Sequence, residues 1–222
     1  MHLTLEQLNL IKNKVNSIIK KKQLKTNPKI IVVTKTFPLN DITPLLNSGH
    51  IHFGENKIQE AEKKWSMTKK HYSKLQLHMV GNLQSNKAKR AIKLFDYIHS
   101  LDSEKLALKL SQYQNELSRK IKLFIQVNVA NEKQKSGINL NLLNDFYNYC
   151  TNKLSLNVIG LMCLPPIDSD SNEYFKLLNQ TVVKFNLKEL SIGMSADYED
   201  AVLNGSTFLR LGTLIMGKRN ST

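Results

Sequence analysis

The apolar positions of this chain change period along its length. Near the amino terminus Leu8, Ile11, Val15, Ile18 and Ile19 recur every three to four residues, the spacing of an amphipathic helix. Thr4 with Gln7 three residues on reads as a capping box, and Leu3 with Leu8 as its hydrophobic staple. Asn27-Pro28 ends the linker that follows. Beyond it, short apolar runs lie near 30–36, 50–54, 75–80, 96–100, 121–129, 157–163, 189–193 and 207–211. Helical patterns fill most of the gaps: Ile58, Ala61, Glu62 and Trp65 make one, and Leu106, Leu110, Tyr113 and Leu117 another.

Eight strands separated by helices predict an α/β protein with a parallel sheet and right-handed crossovers. Eight such units predict one closed (β/α)8 barrel of the TIM type with an extra N-terminal helix. An open doubly wound sheet is the alternative, but no G-x-G-x-x-G follows the first strand, which weakens a dinucleotide-binding version. No stretch rich in Pro, Gly or Ser divides the chain, so residues 1–222 read as a single domain. With 41% hydrophobic content, 222 residues suffice for one sizeable core.

The net charge of +14 ordinarily points to an anionic partner. Here 28 of the 32 basic residues are Lys, and Asn and Ile are abundant beside them, the joint bias of an AT-rich coding sequence. The lysines are scattered among periodic apolar positions. Their longest uninterrupted run, Lys20 to Lys22, falls at a helix end, where positive charge suits the macrodipole. Aromatics are not interleaved with Arg, so no stacking platform for nucleic acid is expected. Cys150 and Cys163, both in apolar contexts, read as buried thiols rather than a disulfide framework. Neither a secretory signal nor a run of membrane-spanning length is evident, which predicts a cytoplasmic protein with no membrane partner.

In a barrel of this kind the functional face lies at the carboxyl ends of the strands. There the first strand runs "IIVVTK" into Lys35, and the second, "IHFGEN", ends at Gly54, Glu55 and Asn56. The loops after the last two strands carry "GMSADYEDA" and "RLGT", where such barrels build phosphate sites. Ser195 serves there either as a helix N-cap or, with nearby backbone N–H groups, as a phosphate donor. Gly212 lets the backbone approach an anion and Thr213 supplies a hydroxyl. Arg210 interrupts an apolar strand between Leu209 and Leu211, and alternation puts it opposite both, either outward on the barrel wall or inward beside a ligand. Desolvation at a barrel mouth lowers the pKa of a lysine, and a neutral Lys35 amine can attack a carbonyl to form a Schiff base. Facing a phosphate site, it suits a phosphorylated aldehyde: pyridoxal 5'-phosphate (PLP), or a sugar phosphate in a class I aldolase. His50 and His52 alternate on a strand but lack a third ligand at suitable spacing, so no metal site is expected. His78 reads as a satisfied core histidine.

The stretches "VVTKTFP", "HFGENKIQEA", "LHMVGNLQSNK", "GLMCLPP" and "SIGMSADYEDAVLNGSTFLRLGTLIMGKR" resemble, in order, the pyridoxal phosphate homeostasis protein family, related to the N-terminal barrel of alanine racemase. The resemblance implies a fold type III PLP barrel without the C-terminal β domain. It implies that Lys35 holds PLP as a Schiff base, and that Ser195, Gly212 and Thr213, with the Met194 backbone, take the phosphate. It implies that Arg210 faces the pyridine nitrogen, that Asn56 lies close to the cofactor, and that Met162 packs near the ring. Asn56 also reads as a helix N-cap with Gln59, and Met162 as plain core. An arginine beside the pyridine nitrogen disfavours its protonation and makes the ring a poorer electron sink. The expected function is therefore intracellular PLP buffering and delivery to PLP-dependent apoenzymes by a monomer, with no catalytic residues. A weak PLP-dependent amino-acid racemase is the alternative, and a basic nucleic-acid-binding protein a remoter one.

Overall fold

The structure, a computed structural model, describes residues 2–132, 134–166 and 169–218. Its strands are β1 (Lys29–Val33), β2 (His52–Glu55), β3 (Gln76–Met79), β4 (Tyr97–Leu101), β5 (Lys122–Asn128), β6 (Ile138–Asn139), β7 (Val158–Cys163), β8 (Glu189–Ser191) and β9 (Phe208–Leu211). All pairings are parallel. The order β4-β3-β2-β1-β9-β8-β7-β5 is closed by a further β4–β5 pairing, giving an eight-stranded barrel. The two-residue β6, unmarked in the apolar pattern, pairs with the carboxyl end of β5 where β7 holds its other side. Around the ring lie α2 (Leu39–Asn47), α3 (Ile58–His71), α4 (Ala88–Leu94), α5 (Glu104–Glu116), α6 (Leu143–Asn148), α7 (Ser171–Lys184), α8 (Tyr198–Leu203) and α9 (Thr213–Met216), preceded by α1 (Leu3–Lys22). The expected barrel with its extra N-terminal helix is thus the fold observed.

The strands are apolar on both faces because they separate two cores. Ile30, Val32, Leu209 and Leu211 belong to the large cluster between sheet and helices. Ile31, Tyr97, Phe124, Met162 and Phe208 form a second cluster inside the barrel. There His78 stacks on Tyr97 with ring centroids 4.2 Å apart, and His99 on Phe124 at 4.3 Å. Phe208 meets His52, His78, Tyr97, His99 and Phe124 at 5.5–6.0 Å. Aromatic pairs of this kind add about 0.5–1.5 kcal/mol each beyond the area they bury. Both buried cysteines conform to expectation, their thiols pushed up to about 12 by burial.

The N-terminal helix buries Leu8, Ile11 and Val15 against α2, α8 and α9. Its start corrects the expected capping box. Thr4 lies inside the helix and is buried, and the His2 ring accepts its N–H at 3.4 Å. An imidazole nitrogen placed before the first turn thus does the work assigned to a hydroxyl one turn in. Among the described residues no helix is long and apolar enough to cross a membrane.

Candidate functional site

The carboxyl ends of the strands form one rim, and Lys35 stands on it two residues beyond β1. Ile31 of β1 faces the barrel interior, and Lys35, in the turn past the strand's end, is half-buried. The next residue, Thr36, has φ +70°, uncommon for a β-branched residue, and the Glu60 carboxylate accepts its N–H at 2.5 Å.

A buried network holds the segment before the lysine. Glu55, at the end of β2 and fully buried, accepts through one oxygen from Thr34 Oγ1 at 2.7 Å, Lys64 Nζ at 2.8 Å and Trp65 Nε1 at 2.9 Å. Lys64 also donates to the Thr34 carbonyl at 2.8 Å and to Glu60 at 3.1 Å. The second Glu55 oxygen is buried without a partner. None of this was assigned from sequence, although a carboxylate ending an apolar strand, with Glu60 and Lys64 one turn apart on the following helix, is the signal that could have found it.

Arg210, on β9 beside β1, points inward, which settles the two orientations left open by its spacing. It is 5% exposed and lies level with Ile31. Its Nη1 donates to the Ser191 carbonyl at 2.6 Å and to Ser191 Oγ at 2.7 Å, and its Nη2 to the Cys163 carbonyl at 2.9 Å. Burial lowers its pKa while Cys163 and Asp197 oppose that shift. A guanidinium stays protonated in proteins, so a charge sits at the barrel mouth ringed by neutral acceptors. Met162 lies in the interior cluster, fully buried.

The turns after β8 and β9 come together. Gly193, at φ +92°, turns the chain where a Cβ would lie 2.5 Å from that of Ala201, and its carbonyl accepts the Arg210 N–H at 2.9 Å. Ser195 does not cap α8, as one reading had it. Asp197 occupies the cap position, and its carboxylate accepts the Met194 N–H at 2.6 Å. Ser195 Oγ instead faces the start of α9, accepting from Leu214 N–H at 3.4 Å. Gly212 precedes that helix, and Thr213 is its first residue. Asn56 is half-buried where β2 meets α3, and Lys57, not Asn56, is the cap residue there, so the Asn56–Gln59 box does not form. The Asn56 backbone presses against Gly81, where a Cβ would come within 2.5 Å of its carbonyl oxygen. A groove of about 690 Å³ opens beside Asn56, lined also by Lys57, Lys63, Asn82 and Lys87; Lys35, Ser195 and Arg210 are not among its walls.

The interior histidines are satisfied through their rings. His52 and His78 lie 3.0 Å apart nitrogen to nitrogen, His78 and His99 2.9 Å, and His99 meets Ser191 Oγ at 2.9 Å. Burial holds His78 and His99 well below the ordinary imidazole value, His78 being further depressed by neighbouring cations and rings, His99 by Arg210. His50 and His52 fall to about 4, chiefly through burial, with Lys12 acting on the first and Lys29 and Lys122 on the second. Among the described residues no three His, Cys, Asp or Glu gather as a metal site would require.

The family model for the alanine racemase N-terminal domain matches residues 7–220. A protein of Haemophilus influenzae described as "Pyridoxal phosphate homeostasis protein" is 32% identical over 224 residues, 96% of this chain and 94% of its own length. The chain belongs to the alanine racemase N-terminal domain family and, within it, to the pyridoxal phosphate homeostasis proteins. PipY of Synechococcus elongatus PCC7942, solved with PLP bound, superposes with a TM-score of 0.81 and 32% identity, covering 93% of this chain and 100% of PipY. Alanine racemase of Clostridium difficile 630 shares the fold, with a TM-score of 0.71 and 16% identity over 98% of this chain and 58% of its own.

Two measurements follow from the polar groups. Lys64→Met removes the buried cationic partner of Glu55 and is expected to cost about 3–5 kcal/mol in urea unfolding; Glu55→Gln combined with Lys64→Met is expected to cost less than Lys64→Met alone. The histidines set a pH dependence. Their folded pKa values lie below the unfolded value of 6.5, so the unfolded chain binds more protons just below that pH. Their contribution to stability is complete above pH 6.5 and is lost as pH falls towards 4. The urea midpoint should drop steadily from pH 7 to pH 5; a flat profile over that window would contradict the depressed values.

Proposed function

We propose that this chain binds PLP as a Schiff base on Lys35 and serves PLP homeostasis, holding the cofactor and releasing it to apoenzymes rather than catalysing a reaction. Family membership and the PLP-bound relative support the ligand. The observation that carries the mode of use is Arg210, a buried guanidinium contacting neutral acceptors. Facing the pyridine nitrogen, it would keep that nitrogen unprotonated and the ring a weak electron sink, which suits holding better than carbanion chemistry.

The residues at the rim fit the group. PLP, when bound, supplies an aldehyde for an amine and a dianionic phosphate. The Lys35 amine takes the aldehyde. The hydroxyls of Ser195 and Thr213 and the N–H groups opening α9 take the phosphate, and Asn56 and Met162 flank the ring. Met194 adds its N–H once Asp197 turns away from it. Gly212 supports the cradle: a Cβ built there would find its nearest protein atom 3.5 Å away, ordinary contact, so the fold alone does not demand glycine. In this reading residues 1–222 act as one PLP-binding domain, a cytoplasmic monomer with no nucleic-acid partner.

Wild-type protein loaded with PLP should absorb as a Schiff base, and borohydride should fix one PLP on the peptide containing Lys35. Lys35→Ala should lose both signals; an undiminished band in that variant would overturn the assignment. Incubation with an amino-acid panel in deuterated water should leave Cα protons unexchanged, and exchange would favour the racemase. Gly212→Ala should shift the unfolding free energy by no more than about 0.5 kcal/mol, as at tolerant positions. It should weaken PLP binding about tenfold, equivalent to ~1.4 kcal/mol. Unchanged affinity would remove Gly212 from the cradle.

A further inference from the structure

Four side chains from four strands make a continuous line through the barrel to Arg210. Arg210 Nη1 meets Ser191 Oγ of β8 at 2.7 Å; that oxygen meets His99 Nδ1 of β4 at 2.9 Å. His99 Nε2 meets His78 Nδ1 of β3 at 2.9 Å, and His78 Nε2 meets His52 Nδ1 of β2 at 3.0 Å. Ser191, His78 and His99 are fully buried, and His52, at the amino-terminal end of β2, is half-buried.

The donors and acceptors permit one fully satisfied direction. A guanidinium only donates, so Ser191 Oγ accepts from Arg210. If His99 Nδ1 also donated to that oxygen, the hydroxyl proton would be buried without an acceptor, at a cost of about 1–3 kcal/mol. Ser191 therefore donates to a bare His99 Nδ1. His99 then carries its proton on Nε2 and gives it to His78 Nδ1, and His78 does the same to His52. Every O–H and N–H dipole of the chain turns its negative end towards the arginine. Stacking of His78 on Tyr97 and His99 on Phe124 fixes the ring planes that allow this.

We propose that Ser191, His99, His78 and His52 are positioning residues for Arg210, a one-way chain of neutral groups that stands in for a carboxylate counter-ion inside the barrel. Among the described residues no carboxylate lies within ion-pair distance of Arg210. The charges nearest the chain are Arg210 at one end, on which the Asp197 carboxylate acts from beyond contact distance, and Lys29 and Lys122 near His52 and His78 at the other, Lys29 being paired with Glu189 at 3.3 Å. The three cations oppose protonation of the imidazoles, as the chain requires. A carboxylate would pair with the guanidinium and cancel its charge, whereas a dipole chain stabilises the charge without cancelling it. That last consequence rests on the PLP reading of Arg210; the chain itself does not.

Side-chain 15N NMR of the protein without PLP tests the chain first. At pH 7 His52, His78 and His99 should each be neutral, protonated at Nε2 and bare at Nδ1, and the Arg210 Nη protons should exchange slowly. Ser191→Ala should release His99 into a mixture of tautomers, carry the change to His78 one ring further on, and speed Arg210 proton exchange at least tenfold. Ser191→Thr should restore the wild-type pattern. Should Ser191→Ala not fold, His52→Leu removes the acceptor of His78 at the half-buried end, and the mixture should start at His78. A cationic imidazole or an Nδ1–H tautomer at His78 or His99 in the wild type would overturn the proposal, as would unchanged Arg210 exchange in Ser191→Ala. The absorbance band of PLP-loaded Ser191→Ala should shift from that of the wild type, and an unshifted band would disconnect the chain from the cofactor. Failure of the wild type to take up PLP would count against the proposed function alone, since the NMR result stands without it.

Discussion

The constraint on which this barrel turns is a cation inside a closed sheet. Closure leaves no edge at which water can reach the wall, so a polar group on the inner face must find its partners there. Arg210 finds the carbonyl and hydroxyl of Ser191 on the neighbouring strand β8 and the carbonyl of Cys163 on β7, one strand further round. The demand then propagates. A serine that accepts from arginine needs an acceptor of its own, and His99 supplies it across the barrel. His99 needs His78, and His78 needs His52. What fills the barrel is set as much by hydrogen-bond balance as by volume, with Phe208 wedged among the rings that the balance requires.

On the adjoining strand the same logic runs outward. Lys35 follows Thr34, whose hydroxyl and carbonyl are both engaged by the Glu55–Lys64 pair, and Glu60 of α3 holds the N–H of the strained Thr36. The helix after β2 thus sets the end of β1. Because Ile31 pairs with Arg210 and Val32 with Leu211, the turn at Gly212 stands level with the end of β1. Strand register, more than any single contact, puts Lys35, Arg210 and the Gly212 turn on one side of the rim.

Much of this was legible along the chain. Alternation of short apolar runs with helical stripes specified the barrel, and the period of two through Leu209, Arg210 and Leu211 put the arginine opposite its neighbours, though not which side was inside. What period cannot express is adjacency across the ring. Ser191 and His99 are 92 residues apart and touch only because β8 and β4 face each other across the interior. His52, His78 and His99 each look like an isolated polar residue in an apolar strand until β2, β3 and β4 are laid side by side. Caps were misread for a local reason: where several polar groups crowd a helix start, geometry chooses among them. It chose His2 over Thr4, Lys57 over Asn56 and Asp197 over Ser195.

The two halves of the site differ in rigidity, and that difference bears on the proposed role. The guanidinium, Ser191, His99 and His78 are buried, with the two rings stacked on Phe124 and Tyr97, so this interior is built in advance. The side carrying Ser195 and Gly212 is made of short helices and half-exposed turns. Ser195 there makes a long contact to Leu214 at 3.4 Å, and the Met194 N–H is already taken by Asp197. In the proposed role an incoming phosphate would compete with the Asp197 carboxylate for that donor, and its departure would restore the hydrogen bond between Met194 and Asp197. Such competition lowers affinity without loosening the barrel. For the proposed role of holding PLP and releasing it, a fixed interior and a contested rim are the useful combination.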